Sequence, residues 1–288
     1  MDVQRIAAFS HGEEGGNPAG VVLLDAPAGE AEMARVAAEV GFSETAFAVS
    51  QGRDGHAWRV RYFAPESEVP FCGHATIALG AALGRRHGPG RYDLQLNNAA
   101  ITVDANTDAD GIRATLTSPP TNSRPLEPEE RADLLSLFGL KSCDLDQRLD
   151  PALIHGGADH ALLPLKDRST LAAMHYDLDR GRTIMRQHKM VTVMLAYIET
   201  DQAFSVRNAF ASGGVLEDPA TGAAAAAFAG YLRNQGWPHG GQLTIRQGED
   251  MGCLSVIGVE LDDRPGAPVR VSGRARWIDN AAVMLRKN

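Results

Sequence analysis

The chain has 288 residues, 44% of them hydrophobic and 22% charged, which is typical of a globular protein long enough for two domains. Its formal net charge of −8 and its scattered lysines and arginines argue against a nucleic-acid partner, because phosphate binding needs a concentrated basic face. The sequence contains no apolar leader and no uninterrupted apolar run of about 18 residues, so we expect neither a secretory signal nor a membrane span.

The three cysteines, Cys72, Cys143 and Cys253, are widely spaced and odd in number. This pattern predicts free thiols and argues against both a disulfide framework and a zinc site. We therefore expect no metal centre, and a reducing cytoplasm is the simplest location for the protein.

The N-terminal part of the chain predicts strands at residues 3–9 and 21–24, joined by a turn rich in glycine and proline. Asn17 in that segment has two interpretations, a tight-turn residue or a substrate contact. Residues 30–40 place apolar side chains at helical spacing and are followed by a glycine, as at many helix ends. Residues 43–49 alternate and predict the next strand.

Glu44 falls inside that predicted strand, on the side that also carries Phe42 and Ala46. A glutamate is disfavoured in strands and is costly on an apolar face unless it is paired. From composition and periodicity alone, the favoured interpretation is a solvent-facing glutamate on a sheet edge.

The rest of the chain combines short strands with helices. Further strands are predicted at residues 58–63, 92–96, 100–103, 112–116, 151–154, 160–165, 191–198, 203–208, 240–246 and 269–273. Helices are predicted at residues 75–86, 127–138 and 169–175, and from residue 222 onward. Residues 117–125 are rich in Pro, Ser and Asn and are the best linker candidate. We therefore predict an N-terminal domain at residues 1–118 and a C-terminal domain at residues 119–288, whose last strand is a candidate to return to the N-terminal domain.

Two similar motifs open the two most apolar helices. Residues 72–76 read CGHAT and residues 218–222 read DPATG, and each motif follows a strand containing a Val-Arg step. The spacing, close to half the chain, predicts a two-fold pseudo-repeat. A helix that is apolar all round is buried. We therefore predict an α+β fold of two pseudo-symmetric domains, each a strongly curved, mostly antiparallel sheet wrapped around a central apolar helix.

The starts of these two helices are candidate binding sites. The first N–H groups of a helix lack internal partners, and Gly73 and Gly222 would let a carboxylate approach them closely. Aligning the two approach strands places Cys72 opposite Asp218, and both side chains can exchange a proton. This pair favours an enzyme that moves a proton at carbon, with the helix ends stabilising the enolate-like charge. The alternatives are a buried, inert Cys72 and an Asp218 that only caps a turn.

Several motifs together resemble one known family. They are residues 16–19 (GNPA), 41–47 (GFSETAF), 69–76 (VPFCGHAT), 217–222 (EDPATG) and 247–252 (QGEDMG). The chain is similar along nearly its whole length to the PhzF-like family, named for the phenazine-biosynthesis isomerase. The resemblance implies the diaminopimelate-epimerase-like fold, with the active site between the two domains.

The resemblance also implies a reaction and its residues. The family's catalytic glutamate falls on Glu44, its histidine on His74 and its aspartate on Asp218, and this replaces the solvent-facing interpretation of Glu44. The reaction implied is a cofactor-free 1,3 proton shift on a small carboxylate-bearing substrate, in a protein that forms a homodimer. Substrate contacts are implied for Asn17, Ser43, Gly73, Gly222 and Ala223.

Two features keep other functions open. Ala223 stands where the isomerase has a serine, which removes a hydroxyl donor and puts the phenazine substrate in doubt. Residues 72–74 also resemble the base motif of cofactor-independent amino-acid racemases, so an epimerase or racemase that uses Cys72 as an alternative base is the rival enzyme. A third hypothesis is a non-catalytic protein that binds small carboxylates.

Overall fold

The structure, a computed structural model, describes residues 1–52 and 54–279. The chain forms two compact units. Unit 1 comprises Met1–Thr117 and the segment that begins at Ser272, and unit 2 comprises Ser118–Val271. In the part of the chain that the structure describes, no helix is both long enough and apolar enough to span a bilayer.

The elements are numbered in chain order. The strands are β1 (Gln4–Ser10), β2 (Asn17–Leu24), β3 (Thr45–Ser50), β4 (Ala57–Phe63), β5 (Glu68–Val69), β6 (Gly90–Gln95), β7 (Ala100–Asp108), β8 (Gly111–Thr117), β9 (Asn122–Pro125), β10 (Ala152–His155), β11 (Asp159–Leu165), β12 (Thr192–Thr200), β13 (Ala203–Ala209), β14 (Glu217–Asp218), β15 (Gln242–Gln247), β16 (Ser255–Glu260) and β17 (Arg270–Trp277). The helices are α1 (Glu30–Val40), α2 (Gly73–His87), α3 (Pro128–Phe138), α4 (Arg168–Ala172), α5 (Leu178–Gln187) and α6 (Gly222–Asn234).

Unit 1 is a closed ring of eight strands around one helix. The ring runs β1, β2, β3, β4, β6, β7, β8 and β17, and β17 pairs with β1 to close it. The pairs β2–β3 and β4–β6 are parallel. Helix α2 packs against strands on several sides of this ring, so its side chains are covered from all directions.

The small residues of α2 explain how a helix fits inside the ring. Its residues 74–84 are all buried. A side chain at Gly80 would place its Cβ 2.5 Å from Val103 Cγ2, and one at Gly84 would place it 2.6 Å from Ala105 Cβ. Glycine at these two positions therefore lets the helix approach the neighbouring strand.

Unit 2 repeats the same order of pairings. Its strands pair in the series β9, β10, β11, β12, β13, β15 and β16, with β11–β12 and β13–β15 parallel. Helix α6 lies against β9, β10, β11 and β16 and is buried at nearly every position. A Cβ added at Gly230 would collide with the Thr121 hydroxyl, so this helix also uses glycine for close packing. The predicted α+β fold of two similar halves is confirmed.

The structure excludes one of the two interpretations of Asn17 and moves one strand boundary. Asn17 is the first residue of β2 and pairs with Ala8 of β1, so it belongs to a strand and not to a tight turn. Glu44 lies one residue before β3, although its carbonyl still accepts from the Gly20 amide at 3.1 Å. Regular pairing begins only at Thr45, and Thr45 to Ala48 are all buried without alternation.

Helix α5 was not predicted. It contains Gly181 and several charged residues, which weaken a helical pattern. The Asp177 side chain caps it by accepting from the Arg180 amide at 2.8 Å. Its buried residues, including Ile184 and Met185, join an apolar cluster with α3, β11 and β12.

Candidate active site

The same hairpin precedes each buried helix. In unit 1, Arg61 of β4 binds Glu68 of β5 through Nε at 2.7 Å and Nη2 at 2.6 Å. In unit 2, Arg207 of β13 binds Glu217 of β14 through Nε at 3.0 Å and again through Nη2. Each pair fixes a two-residue strand beside the start of a central helix. The same Arg–Glu ion pair therefore precedes both helix starts.

The structure corrects the alignment of the two helix starts. The approach strands do match at an offset of 146 residues, which relates Arg61 to Arg207. The loop that follows is three residues longer in unit 2, so the helices match at an offset of 149 and Gly73 is equivalent to Gly222. Cys72 is therefore the counterpart of Thr221, and it is not the counterpart of Asp218 as the strand alignment predicted.

Four polar side chains of unit 1 meet at the start of α2. Cys72 is the N-cap residue, and its Sγ lies 3.4 Å from His74 Nδ1. The other ring nitrogen, Nε2, lies 3.4 Å from Glu44 Oε2 and 3.4 Å from Ser43 Oγ. His74 is almost completely buried, and the Glu44 side chain is 15% exposed. Of the residues predicted for the site, Ser43, Glu44 and Cys72 thus each lie next to the His74 ring.

A buried hydroxyl chain holds this helix start in place. The Thr76 hydroxyl donates to the Cys72 carbonyl at 2.7 Å, and the Thr76 amide donates to the same carbonyl at 3.0 Å. Because the Thr76 proton is used in this way, the Tyr62 hydroxyl is the donor in its 2.6 Å bond to Thr76. Burial raises the pKa of Tyr62 well above its usual value, so this donor keeps its proton.

Glu44 keeps one carboxylate oxygen uncommitted. Oε2 is fully buried, yet it makes no hydrogen bond to any residue that the structure describes. His74 Nε2 lies 3.4 Å from this oxygen. Buried polar atoms without a partner are costly and uncommon in folded proteins, so this oxygen is a candidate contact for a ligand.

Both central helices begin without a capping side chain. The Thr76 amide is the first in α2 to find a helical acceptor, which leaves the amides of Gly73, His74 and Ala75 at the open end. Helix α6 likewise has no side-chain cap at Thr221, and its first helical bond is made by the Ala225 amide. Free amides at the positive end of a helix dipole attract carboxylates.

The cluster in unit 1 also has the composition of a metal site. The ligand atoms of Glu44, Cys72 and His74 lie within 4.8 Å of one another. Thiolate, imidazole and carboxylate together form a donor set that suits zinc. The positive helix end beside Cys72 and His74 disfavours a cation and favours an anion.

Asp218 lies at the start of α6, where its hydrogen bonds are well defined. The Thr221 hydroxyl donates to Asp218 Oδ2 at 2.6 Å. The Gln247 amide group donates to the Asp218 carbonyl at 2.7 Å and to Thr221 Oγ1 at 3.0 Å. Gln247 is completely buried. Gly222 and Ala223 follow directly as the first two residues of the helix.

Several of these residues were not among the predicted site residues. Thr221 and Gln247 lie inside motifs of the sequence, but their roles depend on strand pairing that brings β13 beside β15. Thr76 lies among the apolar residues of α2 and has the spacing of a core residue, so it was not selected as a site residue. Gln247 could have been found because it is a glutamine at a buried position of a strand. Buried polar groups are normally hydrogen-bonded, so such a residue points to partners nearby. Asn17, which was predicted, is buried in β2 near the strand position that holds the Glu44 carbonyl.

Known proteins resemble this chain along nearly its whole length. The sequence profile of the phenazine biosynthesis-like protein family, PhzC-PhzF, matches residues 6–280. The uncharacterized isomerase YddE of Escherichia coli O157:H7 is 30% identical, over 98% of this chain and 96% of its own. The trans-2,3-dihydro-3-hydroxyanthranilate isomerase of Pseudomonas fluorescens is 27% identical, over 97% of this chain and 98% of its own.

A solved structure supports the fold. The PhzF-family phenazine biosynthesis protein of Bacillus anthracis superposes with a TM-score of 0.84 at 22% identity, covering 97% of this chain and 98% of that one. At this identity the likeness concerns the fold. The profile match over nearly the whole chain shows more than the fold: the chain belongs to the phenazine biosynthesis-like PhzC-PhzF family, and it is an isomerase.

Proposed function

We propose that the protein is a cofactor-independent isomerase that moves a proton between two carbons of a small carboxylate-bearing substrate, in a 1,3 shift. The observation that carries the proposal is the buried Oε2 of Glu44, which has no hydrogen bond within the described residues and lies 3.4 Å from His74. A proton carrier needs a lone pair that the protein does not already occupy.

The chemistry assigned to this cluster is proton transfer by Glu44. The carboxylate removes a proton from one carbon of the substrate, the electron pair left behind is delocalised over the adjacent double bond, and Glu44-COOH returns the proton to the third carbon. The catalyst is regenerated, and no oxidant or reductant is needed. The uncapped amides of Gly73, His74 and Ala75 stabilise the negative charge that develops. His74 Nε2 lies 3.4 Å from Oε2 and borders the carboxylate without forming a hydrogen bond to it.

Asp218 is proposed to take part in the same reaction as a fixed hydrogen-bond acceptor that orients the substrate. Its carboxylate is held by the Thr221 hydroxyl at 2.6 Å, so its geometry is defined before any ligand arrives. The amides of Gly222 and Ala223 are proposed to contact an anionic group of the substrate.

The relative from Pseudomonas fluorescens is named as an isomerase of trans-2,3-dihydro-3-hydroxyanthranilate. That name supports the type of reaction that we propose, a proton shift on a cyclic carboxylate. Ala223 provides no hydroxyl where the family's isomerase has a serine, so we propose a substrate that needs one hydrogen-bond donor fewer at this position.

Heavy water provides the test. Candidate cyclic carboxylates and amino acids are incubated in D2O, in the presence of a chelator, with wild type and with Glu44→Gln, and deuterium at each C–H position is measured by NMR. We expect exchange in wild type and its loss in Glu44→Gln, which keeps the size of the side chain and removes the proton carrier. Exchange that requires an added metal would contradict the cofactor-independent mechanism.

One observation favours a second candidate function. Cys72 Sγ lies 3.4 Å from His74 Nδ1, a separation at which the imidazole can accept the thiol proton. In this case the protein is an epimerase whose base is Cys72. Full exchange in Glu44→Gln together with its loss in Cys72→Ser would establish the epimerase, whereas binding of a carboxylate without any exchange would indicate a non-catalytic binder.

A further inference from the structure

A row of buried polar side chains leads through unit 2 to Asp218. Its members are His160, Thr192, Asn208, Gln247 and Thr221. The first four are each at most 1% exposed. Buried polar groups are normally hydrogen-bonded, and apart from His160 Nε2, which has no partner among the described residues, the bonds along this row are satisfied. Their directions can therefore be worked out one at a time.

The row begins at His160. The Thr192 hydroxyl donates to Asn208 Oδ1 at 3.1 Å, which uses its only proton. In the 2.8 Å contact between His160 and Thr192, the ring Nδ1 must therefore be the donor. Burial lowers the pKa of His160 to about 4, so the ring is neutral near pH 7 and carries its single proton on Nδ1.

The orientation of the Gln247 side-chain amide follows from its hydrogen bonds. Its Oε1 accepts from Asn208 Nδ2 and from the Thr221 backbone amide, both at 3.1 Å. Its Nε2 donates to the Asp218 carbonyl at 2.7 Å and to Thr221 Oγ1 at 3.0 Å. All four hydrogen-bonding positions of the amide are occupied, so the side chain has one orientation.

The row ends at the carboxylate. Because Gln247 donates to Thr221 Oγ1, the Thr221 hydroxyl proton is directed to Asp218 Oδ2 at 2.6 Å. A donor aimed at a carboxylate oxygen favours the ionised form of that carboxylate. Thr221 is also the N-cap residue of α6, yet its hydroxyl makes no cap bond to the helix and binds Asp218 instead.

We propose that Thr221 and Gln247 are positioning residues that hold Asp218 as an ionised hydrogen-bond acceptor with a fixed orientation. The inference rests on the catalytic role of Asp218 in the proposed function, and it adds two residues that act through Asp218. It also separates the roles of the two carboxylates: Glu44 exchanges its proton during the reaction, whereas Asp218 stays ionised throughout.

The test compares Thr221→Val, which keeps the shape and removes the hydroxyl, with Thr221→Ser, which keeps the hydroxyl. The Asp218 carboxylate is titrated by 13C NMR in the ligand-free protein, and its signal is identified by its absence in Asp218→Asn. We expect the titration midpoint to rise by about one pH unit in Thr221→Val and to stay at the wild-type value in Thr221→Ser, because only the valine removes a hydrogen bond to the charged group. Thr244→Val, an exposed position on β15, is the matched control and leaves the midpoint unchanged.

Kinetics provide the second measurement. With an identified substrate, Thr221→Val is expected to lower kcat/KM roughly ten- to a hundredfold and Thr221→Ser to restore it, the range expected when a hydrogen bond to a charged group is lost. An unchanged titration midpoint in Thr221→Val, or a Thr221→Ser variant that behaves like the valine variant, would overturn the inference. The titration needs no turnover, so it can fail or succeed separately from the proposed function, which is tested by loss of deuterium exchange in Glu44→Gln.

Discussion

The starts of α2 and α6 stand on the same scaffold but carry different side chains. In β3 and β4, Thr45 pairs with Phe63, and in β12 and β13, Val193 pairs with Ala209. Since Phe63 and Ala209 are equivalent positions of the repeat, Thr45 is equivalent to Val193. The equivalent polar positions are Glu44 with Thr192, Cys72 with Thr221, and His74 with Ala223.

This difference shows that the repeated fold does not repeat its polar side chains. Unit 1 places three groups that can exchange protons at positions where unit 2 has two threonines and an alanine. The uncapped helix end, which attracts an anion, is present in both. The carboxylate of unit 2, Asp218, comes from a position equivalent to Val69, and it is held by hydrogen bonds that Glu44 Oε2 lacks.

The largest expected effect comes from the equivalent pair Glu44 and Thr192. Glu44→Gln is expected to lower the deuterium-exchange rate about 10²- to 10⁴-fold, the usual contribution of a general acid or base. Thr192→Ser keeps the buried hydroxyl and is expected to stay within about threefold of wild type. A comparable loss in both variants would mean that the two positions are not functionally different.

The two hairpin ion pairs should differ in their contribution to stability. Arg207 and Glu217 are 12% and 6% exposed, whereas Arg61 and Glu68 are 24% and 22% exposed. Breaking a buried pair leaves an uncompensated charge, so Glu217→Gln is expected to lower the free energy of unfolding by about 3 kcal/mol. Glu68→Gln should cost about 1 kcal/mol, because solvent screens the remaining charge. Urea denaturation of both variants measures the difference, and equal losses would contradict it.

Packing around the central helices provides a third comparison. Gly80→Ala places a methyl group 2.5 Å from Val103 Cγ2, which must move. We expect a loss of about 1–3 kcal/mol in the free energy of unfolding. The control is Gly29→Ala, which should change stability little because there is open space around the added Cβ. Gly139 is unsuitable as a control because its φ is +65°. Unchanged stability in Gly80→Ala would show that the ring can expand.

The smallest effect is a pH dependence. Hydrogen bonds from Arg61 lower the pKa of Glu68 in the folded protein below its unfolded value. The stability that the ionised Glu68 contributes is therefore present above its unfolded pKa. It is lost as the pH falls through the lowered pKa of the folded protein. We expect wild type to lose about 1 kcal/mol more stability than Glu68→Gln on acidification below about pH 4, as followed by thermal unfolding at several pH values. Parallel pH profiles would contradict this assignment.

The sequence predicted those features that depend on local pattern. Runs of alanine and glycine at residues 75–86 and from residue 222 identified both buried helices, because neither segment has a polar face. The role of Glu44 came only from the resemblance to a family, since periodicity favoured solvent exposure. The structure shows why: its burial depends on the neighbouring start of α2, more than 25 residues further along the chain.

The row of buried polar side chains in unit 2 could not be predicted in the same way. Gln247 meets Asn208 because β15 pairs in parallel with β13, and it meets Thr221 because α6 starts beside that strand pair. Each residue alone has an ordinary interpretation as a strand or turn residue. The three-residue difference between the hairpin loops was also invisible to an alignment of the strands, and it moved the counterpart of Cys72 from Asp218 to Thr221.

The closure of unit 1 by β17 has a consequence for synthesis of the protein. The strand that pairs with β1 and β8 follows the whole of unit 2 in the chain, so it leaves the ribosome after unit 2. Unit 2 can fold as one contiguous piece, whereas β1 and β8 each keep an unpaired edge for roughly ten to thirty seconds of translation. Unpaired edges are sites of wrong association. The half of the molecule that carries Glu44 and His74 is therefore the half that needs protection while the chain is being made.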